Sequence, residues 1–474
     1  MSSDKQSPTQ VSRRAFMGTA ATAAGFTIVP RRVLGGTGYQ APSDTVNVAV
    51  VGYIHGMGTS NLLNVIKSDN VVALCDIDES AAAKEALKRR DTIAKVPKAT
   101  MYKDYRVMLE KQKDIDAVLV ATPDHWHALI AMASMQLGKH VYVQKPLTRT
   151  ISEARALAEA ARKYKVVTQM GNQGHSEEGL RLMQEWLEAG AIGQVREVHC
   201  WTNRPIWPQG MPRPTETMAA PDGLDWDFWL GPAPERPFHK TYHPFGWRAW
   251  QDFGAGAMGD MGCHVLDASF TILKLGAPTS VVSSLGYNFL PPAPGQRGFG
   301  QRVEYNDSYP PSSLIHLSFP ARGNMPPVTV HWYDGGLLPE LPAELEPDRK
   351  LPESGTIFVG DKGKMWCETY SESPRLIPET AMQAFQRPPK SLPRVEGGRG
   401  GHEKNWLDAI RQKGKAVADF DYAGPFTEAV LLGNVAMRFP GERLMWDAAS
   451  MKVTNKPEAD QYVRHNYRGT WSLG

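Results

Sequence analysis

Cysteine is scarce: only 4 occur in 474 residues, Cys75, Cys200, Cys263 and Cys367, and no two form a Cys-x-x-Cys pair. That spacing excludes a disulfide framework and a thiolate metal centre and leaves buried free thiols as the reading. Long apolar runs are also missing. The one weakly apolar stretch near the start, Gly18 to Val29, is too short and too rich in Ala, Thr and Gly to span a bilayer. No segment repeats at a fixed period. Charge of one sign is lacking too. Lys5, Arg13, Arg14, Arg31 and Arg32 against Asp4 outweigh the formal net charge of +3, so the rest of the chain is near neutral. A near-neutral body without a basic stripe gives no electrostatic ground for nucleic acid or an anionic membrane as partner. What is present is length, too much for one core and enough for two or three domains.

The first 40 residues read as a leader. Ser12-Arg13-Arg14-Ala15-Phe16-Met17 precedes the short apolar run, the pattern of a twin-arginine (Tat) export signal. This predicts a periplasmic protein that meets the Tat translocon during export, folded and with its cofactor already loaded. Removal is expected around residues 30–40, an uncleaved tether being the alternative.

Residues 41–165 are expected to form a dinucleotide-binding domain. Val46 to Val51 is a continuous apolar run, as in a parallel strand buried on both faces. It enters Gly52-Tyr53-Ile54-His55-Gly56-Met57-Gly58, then a helix to Lys67 and a second strand, Val71 to Cys75, ending in Asp76. Strand, Gly-rich turn, helix, strand and acid, in that order, place a pyrophosphate at a helix N-terminus and ribose hydroxyls on Asp76. The glycines fall one residue late, with Ile54 at the third position, so the loop is read as one residue longer than usual. Asp76 without a following Arg favours NAD over NADP.

Two more strand ends should face that cofactor. Asp116 to Ala121 leads into Thr122-Pro123-Asp124-His125-Trp126-His127, and His140 to Val143 into Gln144-Lys145-Pro146-Leu147. Ligands of open α/β sheets sit outside such carboxyl ends. Thr122, Pro123, His125, His127, Gln144 and Lys145 are therefore cofactor candidates, Lys145 also able to hold a substrate hydroxyl. Pro146 is expected cis, in a turn that aims a side chain. His125-x-His127 lacks a carboxylate cluster, so no metal is assigned.

Residues 166–474 read as an α/β domain with a large open mixed, mostly antiparallel sheet, its tail packing back on the first domain. Strand patterns cover Thr279 to Ser284, Ser313 to Phe319, Val328 to Tyr333 and Thr356 to Val359. Helices are expected at His402 to Lys413 and Thr427 to Arg438. Met170-Gly171-Asn172-Gln173-Gly174-His175 offers Gln173 to the nicotinamide. Between Trp201 and Tyr242 lie many prolines and the aromatics Trp201, Trp207, Trp226, Phe228, Trp229 and Phe238. These rings either wall a carbohydrate pocket or pack an insertion. Trp247 and Arg248 precede a Gly-rich stretch and join the substrate-binding candidates. In Gly259-Asp260-Met261-Gly262-Cys263-His264, helical spacing puts Asp260 and His264 on one face, the acid–imidazole pairing that moves a hydroxyl proton. The competing reading makes Asp260 an N-cap and His264 a packed core histidine.

These motifs, in this order and across almost the whole chain, resemble the Gfo/Idh/MocA oxidoreductases, in particular a Tat-exported bacterial branch. Late matches are Gly355 to Gly363 and His402 to Ile410. The resemblance implies a Rossmann domain followed by an α/β domain whose sheet faces the nicotinamide, with a sheet face serving a homo-oligomer. Its catalytic set of Lys, Asp and His carries over onto Lys145, Asp260 and His264. Gln144 stands where that family has Glu, which removes one carboxylate from the Lys ammonium and the cofactor. The function so implied is hydride transfer between a sugar or polyol hydroxyl carbon and a tightly held NAD. The alternatives are a glycoside hydrolase or lyase with a captive NAD and a non-catalytic sugar-binding protein.

Overall fold

The computed structural model describes residues 44–292 and 294–474. The leader expected over residues 1–40 lies outside them. Val46–Gly474 is one unit. Its first sheet has six strands: β1 Asn47–Val51, β2 Asn70–Cys75, β3 Thr100–Tyr102, β4 Ala117–Val120, β5 His140–Val143 and β6 Thr168–Met170. All pair in parallel, in the order β3-β2-β1-β4-β5-β6. The order reverses between β1 and β4, opening the crevice in which such sheets hold ligands.

Strand β1 shows why the sheet is buried on both faces. Val48 and Val50 pack into one layer with Leu62, Val65, Trp406 and Leu407, while Ala49 and Val51 face the other with Val118, Trp126 and Leu129. Period-2 alternation thus feeds two cores, and every side chain from Val48 to Val51 is apolar. Trp406 and Leu407 belong to the late helix His402–Ile410, so the first domain's core is completed from the far end of the chain. The parallel sheet also extends through β6, past the boundary expected at residue 165.

The second sheet has nine strands: β7 Val195–Trp201, β8 Ser280–Leu285, β9 Ser313–Phe319, β10 Val328–Tyr333, β11 Gly355–Gly360, β12 Lys364–Glu368, β13 Arg375–Ile377, β14 Leu444–Asp447 and β15 Lys452–Val453. Their order is β13-β12-β11-β7-β10-β9-β8-β14-β15, with only β7–β10 parallel. Along β9 and β10 buried and half-buried residues alternate strictly, the mark of a sheet with one covered face. The other face carries His199, His331 and His316 in register on β7, β10 and β9.

Two helices hold the second domain's share of the site. Gly256–Val265 packs on Phe420–Ala436, which in turn packs on Ile151–Tyr164 of the first domain. The Asp260 N-cap reading fails here, because the helix begins a turn earlier at Gly256. The tail does return to the first domain: Tyr467 donates to Glu153 at 2.8 Å, and Trp471 meets Trp126 edge-on with centroids 5.0 Å apart. All four cysteines are buried and free. No helix among the described residues is long and apolar enough to cross a membrane.

Candidate functional site

A cleft of about 1070 Å³ opens at the carboxyl ends of β1, β2, β4 and β5. On the first-domain side the chain leaves β1 at Gly52 with φ +81°, and a Cβ there would stand 2.7 Å from the Ala121 carbonyl carbon. At Gly58, the first residue of the helix Gly58–Val65, a Cβ would lie 2.0 Å from the Gly52 carbonyl oxygen. Glycine at both positions lets the turn fold tightly under the helix. Met57 supplies no side-chain cap, so the first-turn N–H groups have no side-chain acceptor there. Asp76, at the end of β2, accepts from the Ile54 amide at 3.1 Å and the Asp78 amide at 3.2 Å. Burial lifts its carboxyl above the ordinary value.

At the end of β5 the Lys145–Pro146 bond is cis. Lys145 Nζ donates to the Asp260 carbonyl oxygen and to Asp260 Oδ1, both at 2.8 Å. Arg248 Nε reaches the same Oδ1 at 3.4 Å, and its guanidinium lies over the rings of Trp247 and Phe245 at 4.2 and 4.5 Å. Burial would raise the Asp260 carboxyl, but the Lys145 and Arg248 cations hold it down at about 2. Asp124 lies in the same wall with the opposite balance. Burial pushes its carboxyl up to about 7 against the pull of Arg248 and Lys145. Lys145 and Asp260 are thus an ion pair in the cleft wall, with a nearby carboxyl that titrates near neutrality.

Gln144 does not leave Lys145 without a partner, since Asp260 supplies the carboxylate. Its amide Nε2 donates to Asn61 Oδ1 at 2.9 Å, and Asn61 Nδ2 donates to Glu403 Oε1 at 2.6 Å. A carboxylate at position 144 would oppose the Asn61 oxygen and stand two bonds from buried Glu403.

The structure brings together Gly52, His55, Gly56, Met57, Asp76, Thr122, Pro123, Gln144, Lys145, Trp247, Arg248 and Asp260 on the cleft. Others it does not. Ile54 is 3% exposed and packs in the core, contributing only its amide to Asp76. Gly58 acts through the tight turn. His125 is fully buried between the Phe253 and Trp229 carbonyls, and His127 between those of Pro146 and Thr122. Burial holds both imidazoles neutral, at about 3 and about 4. They brace loops and do not line the cleft. Gln173 sits in a short 3-10 turn and does not line the cleft.

Asp260 does not pair with His264, because its carboxylate is drawn to Lys145 and Arg248. The ring is buried against Tyr370, centroids 4.8 Å apart, and Nδ1 has no partner. Burial and the Lys145 charge depress its value far below the ordinary one. Among the aromatics, Phe228 and Trp229 line the cleft. Trp207, Trp226 and Phe238 pack in an aromatic core with Tyr242 and Trp250, and Trp201 in a separate cluster with Ile357 and Trp366.

Cleft residues that the sequence reading did not single out include Asp78, Lys103, Asp124, His243 and Phe245. Asp124 stands in the first turn of the helix Asp124–Gln136, where an acid ordinarily serves as a dipole complement. Nothing local marks His243.

Two family models match the chain. One, over residues 46–172, is described as "Oxidoreductase family, NAD-binding Rossmann fold", and one, over residues 197–283, as "Oxidoreductase family, C-terminal alpha/beta domain". Levoglucosan dehydrogenase of Pseudarthrobacter phenanthrenivorans is 28% identical over 197 residues, 41% of each chain. Inositol 2-dehydrogenase of Salmonella typhimurium is 28% identical over 159 residues, 32% of this chain and 43% of that one. The chain thus matches about two fifths of these relatives' length. The WlbA dehydrogenase from Bordetella pertussis, solved with NADH and UDP-GlcNAcA, superposes with a TM-score of 0.55 at 16% identity over 85% of this chain and 99% of that one. A likeness at that identity shows the shared fold.

Proposed function

We propose that this chain, which oxidoreductase family models match over residues 46–172 and 197–283, is a Gfo/Idh/MocA-type NAD-dependent oxidoreductase acting on a hydroxyl-bearing carbon of a sugar or polyol. The observation that carries this is the single cleft shared by the Gly52–Gly58 turn, Asp76 and the Lys145–Asp260 pair. The donor set fits a dinucleotide. Uncapped amides at a helix start suit a diphosphate, and a fixed carboxylate at the end of β2 suits a ribose diol. Asp76 and Asp78 disfavour a 2′-phosphate, and Lys103, the nearby cation, is paired with Glu79 at 2.7 Å. A bound nicotinamide supplies hydride acceptance or return.

The protein's own residues then do the rest. Lys145, fixed by two bonds to Asp260, keeps a third N–H for the substrate hydroxyl oxygen and stabilises negative charge that develops there. Asp260 keeps that ammonium in place. Asp124, titrating near neutrality within the same wall, takes up the hydroxyl proton. Phe228, Trp229, Trp247 and Phe245 offer apolar faces for the C–H faces of a sugar ring.

The test is direct. Purified full-length protein, offered NAD and a panel of sugars and polyols that includes levoglucosan and inositol, produces reduced nicotinamide with at least one of them. No nucleotide binding by calorimetry would sink the reading. Cleavage of a glycoside without net nicotinamide reduction would replace it with transient oxidation.

Twin-arginine export to the periplasm belongs to the same proposal, supported by Ser12 to Met17. A reporter fused to residues 1–40 that stays in the cytoplasm refutes it. A homo-oligomer is proposed across the half-buried outer face of the nine-stranded sheet, and a monomer in sedimentation would refute that.

A further inference from the structure

His55, Asp78 and His243 come from three separate segments: the Gly-rich turn, the residues after β2, and the aromatic segment of the second domain. Asp78 Oδ2 stands 2.7 Å from His55 Nε2 and 3.3 Å from His243 Nε2. The three atoms all lie within 4.8 Å of one another. The two imidazoles meet edge to face, at 89° with centroids 5.2 Å apart, and each turns its Nε2 toward the same carboxylate oxygen. The other oxygen, Asp78 Oδ1, is pinned by the Ser80 amide at 2.9 Å. Asp78 is 2% exposed, His243 10% and His55 27%, and all three line the cleft.

We propose that His55, Asp78 and His243 form a binding site for a zinc-class divalent metal ion, with an open coordination position facing the cleft. Zinc bonds of about 2.0–2.2 Å in a tetrahedron set donor atoms about 3.3–3.5 Å apart. The Asp78–His243 pair already has that spacing. His55 reaches it by withdrawing about half an ångström on a half-exposed loop, a small adjustment for a site filled by its ion. Two imidazoles and one carboxylate are a borderline donor set, suited to zinc and its neighbours and unsuited to magnesium or calcium. The Ser80 amide supplies the outer support that ligating carboxylates require. Three protein ligands leave a fourth position for water or for an oxygen of a cleft ligand. A bound ion would also staple the segment around His243 to the first domain. The sequence could not announce the site, because its one tight histidine pair, His125-x-His127, braces loops instead.

The proposal does not depend on the dinucleotide reading, since the ion is measured with no nucleotide present. Chelator-stripped full-length protein is titrated with zinc by calorimetry, and with cobalt by visible spectroscopy. Expected are one ion per chain, a cobalt spectrum of low coordination number, and a raised melting temperature. His243→Ala and His55→Ala each weaken zinc binding by tenfold or more, while magnesium gives no heat. His331→Ala, on the outer sheet face, leaves zinc binding unchanged. Asp78→Asn serves as a second variant that keeps the side-chain shape should His243→Ala prove unfolded by circular dichroism. No zinc uptake, or uptake that survives in folded His55→Ala and Asp78→Asn, overturns the site. So does a loss of binding caused by His331→Ala.

Discussion

The two sides of the cleft are built differently. On the first-domain side, backbone does most of the work: Gly52, Gly58 and the amides around Asp76 hold positions set by β1 and β2. On the second-domain side, side chains do it. Asp260 is placed by helix packing, and Arg248 by stacking on Trp247 and Phe245. Backbone geometry tolerates substitution nearby, whereas a side-chain constellation loses its function with one atom. Damage to the side-chain constellation, Asp260 and Arg248 with Lys145 reaching across to them, should therefore show in turnover, and damage around the backbone braces in stability.

The sharpest break of that contrast is Lys145→Ala. Turnover should fall by about 10²–10⁴-fold, the usual contribution of a positioned proton-handling group, with NAD affinity by calorimetry changed only a few-fold. Equal loss of both would show that Lys145 serves cofactor binding and not chemistry.

Next is Asp124→Asn, which tests the two carboxylates of the wall against each other. Asp124, lifted to about 7, favours its protonated form in the folded protein. Its contribution to stability is complete below the ordinary carboxylate range and is lost as pH rises through about 7. Asp260, held at about 2, behaves oppositely, contributing above the ordinary range and losing that as pH falls toward about 2. Asp124→Asn should therefore gain more melting temperature over the parent at roughly pH 8 than at roughly pH 5. The rise of turnover between these pH values should flatten. If His264→Ala removes that pH dependence and Asp124→Asn does not, the proton belongs to His264.

His127→Ala should cost about 2–4 kcal/mol in denaturant unfolding, because it leaves a buried carbonyl acceptor without its donor and a cavity. Any remaining folded enzyme should turn over normally, which separates a loop brace from a cofactor ligand.

The smallest effect is expected for Gln144→Glu, about 1–2 kcal/mol of stability at neutral pH, from an acceptor placed against the Asn61 oxygen. A gain in stability would show that Asn61 reverses its amide.

This contrast also explains what could be read in advance. The strands β9 and β10 were legible to the residue because alternation is local. So were the turn at Gly52, Asp76 and the cis bond at Pro146, which follow from backbone requirements written in neighbouring residues. The strand β7 was not, since Val195 to Trp201 is flanked by ordinary residues and its place in the sheet is settled by β10 and β11. His125 and His127 misled because an imidazole buried between two carbonyls looks, in sequence, like one facing a ligand. Asp260 was expected to pair with its helical neighbour His264. Spacing along one helix says nothing about cations arriving from Lys145 and Arg248, 115 and 12 residues away.

Trp406 and Leu407 lie under β1, and Glu403 closes the chain from Gln144 through Asn61. During synthesis the nucleotide half would therefore emerge some 230 residues before the side chains that seal it. A fragment ending near residue 172 should wait as a loosely packed intermediate until the ribosome delivers its lid, and it needs a chaperone more than the finished protein does.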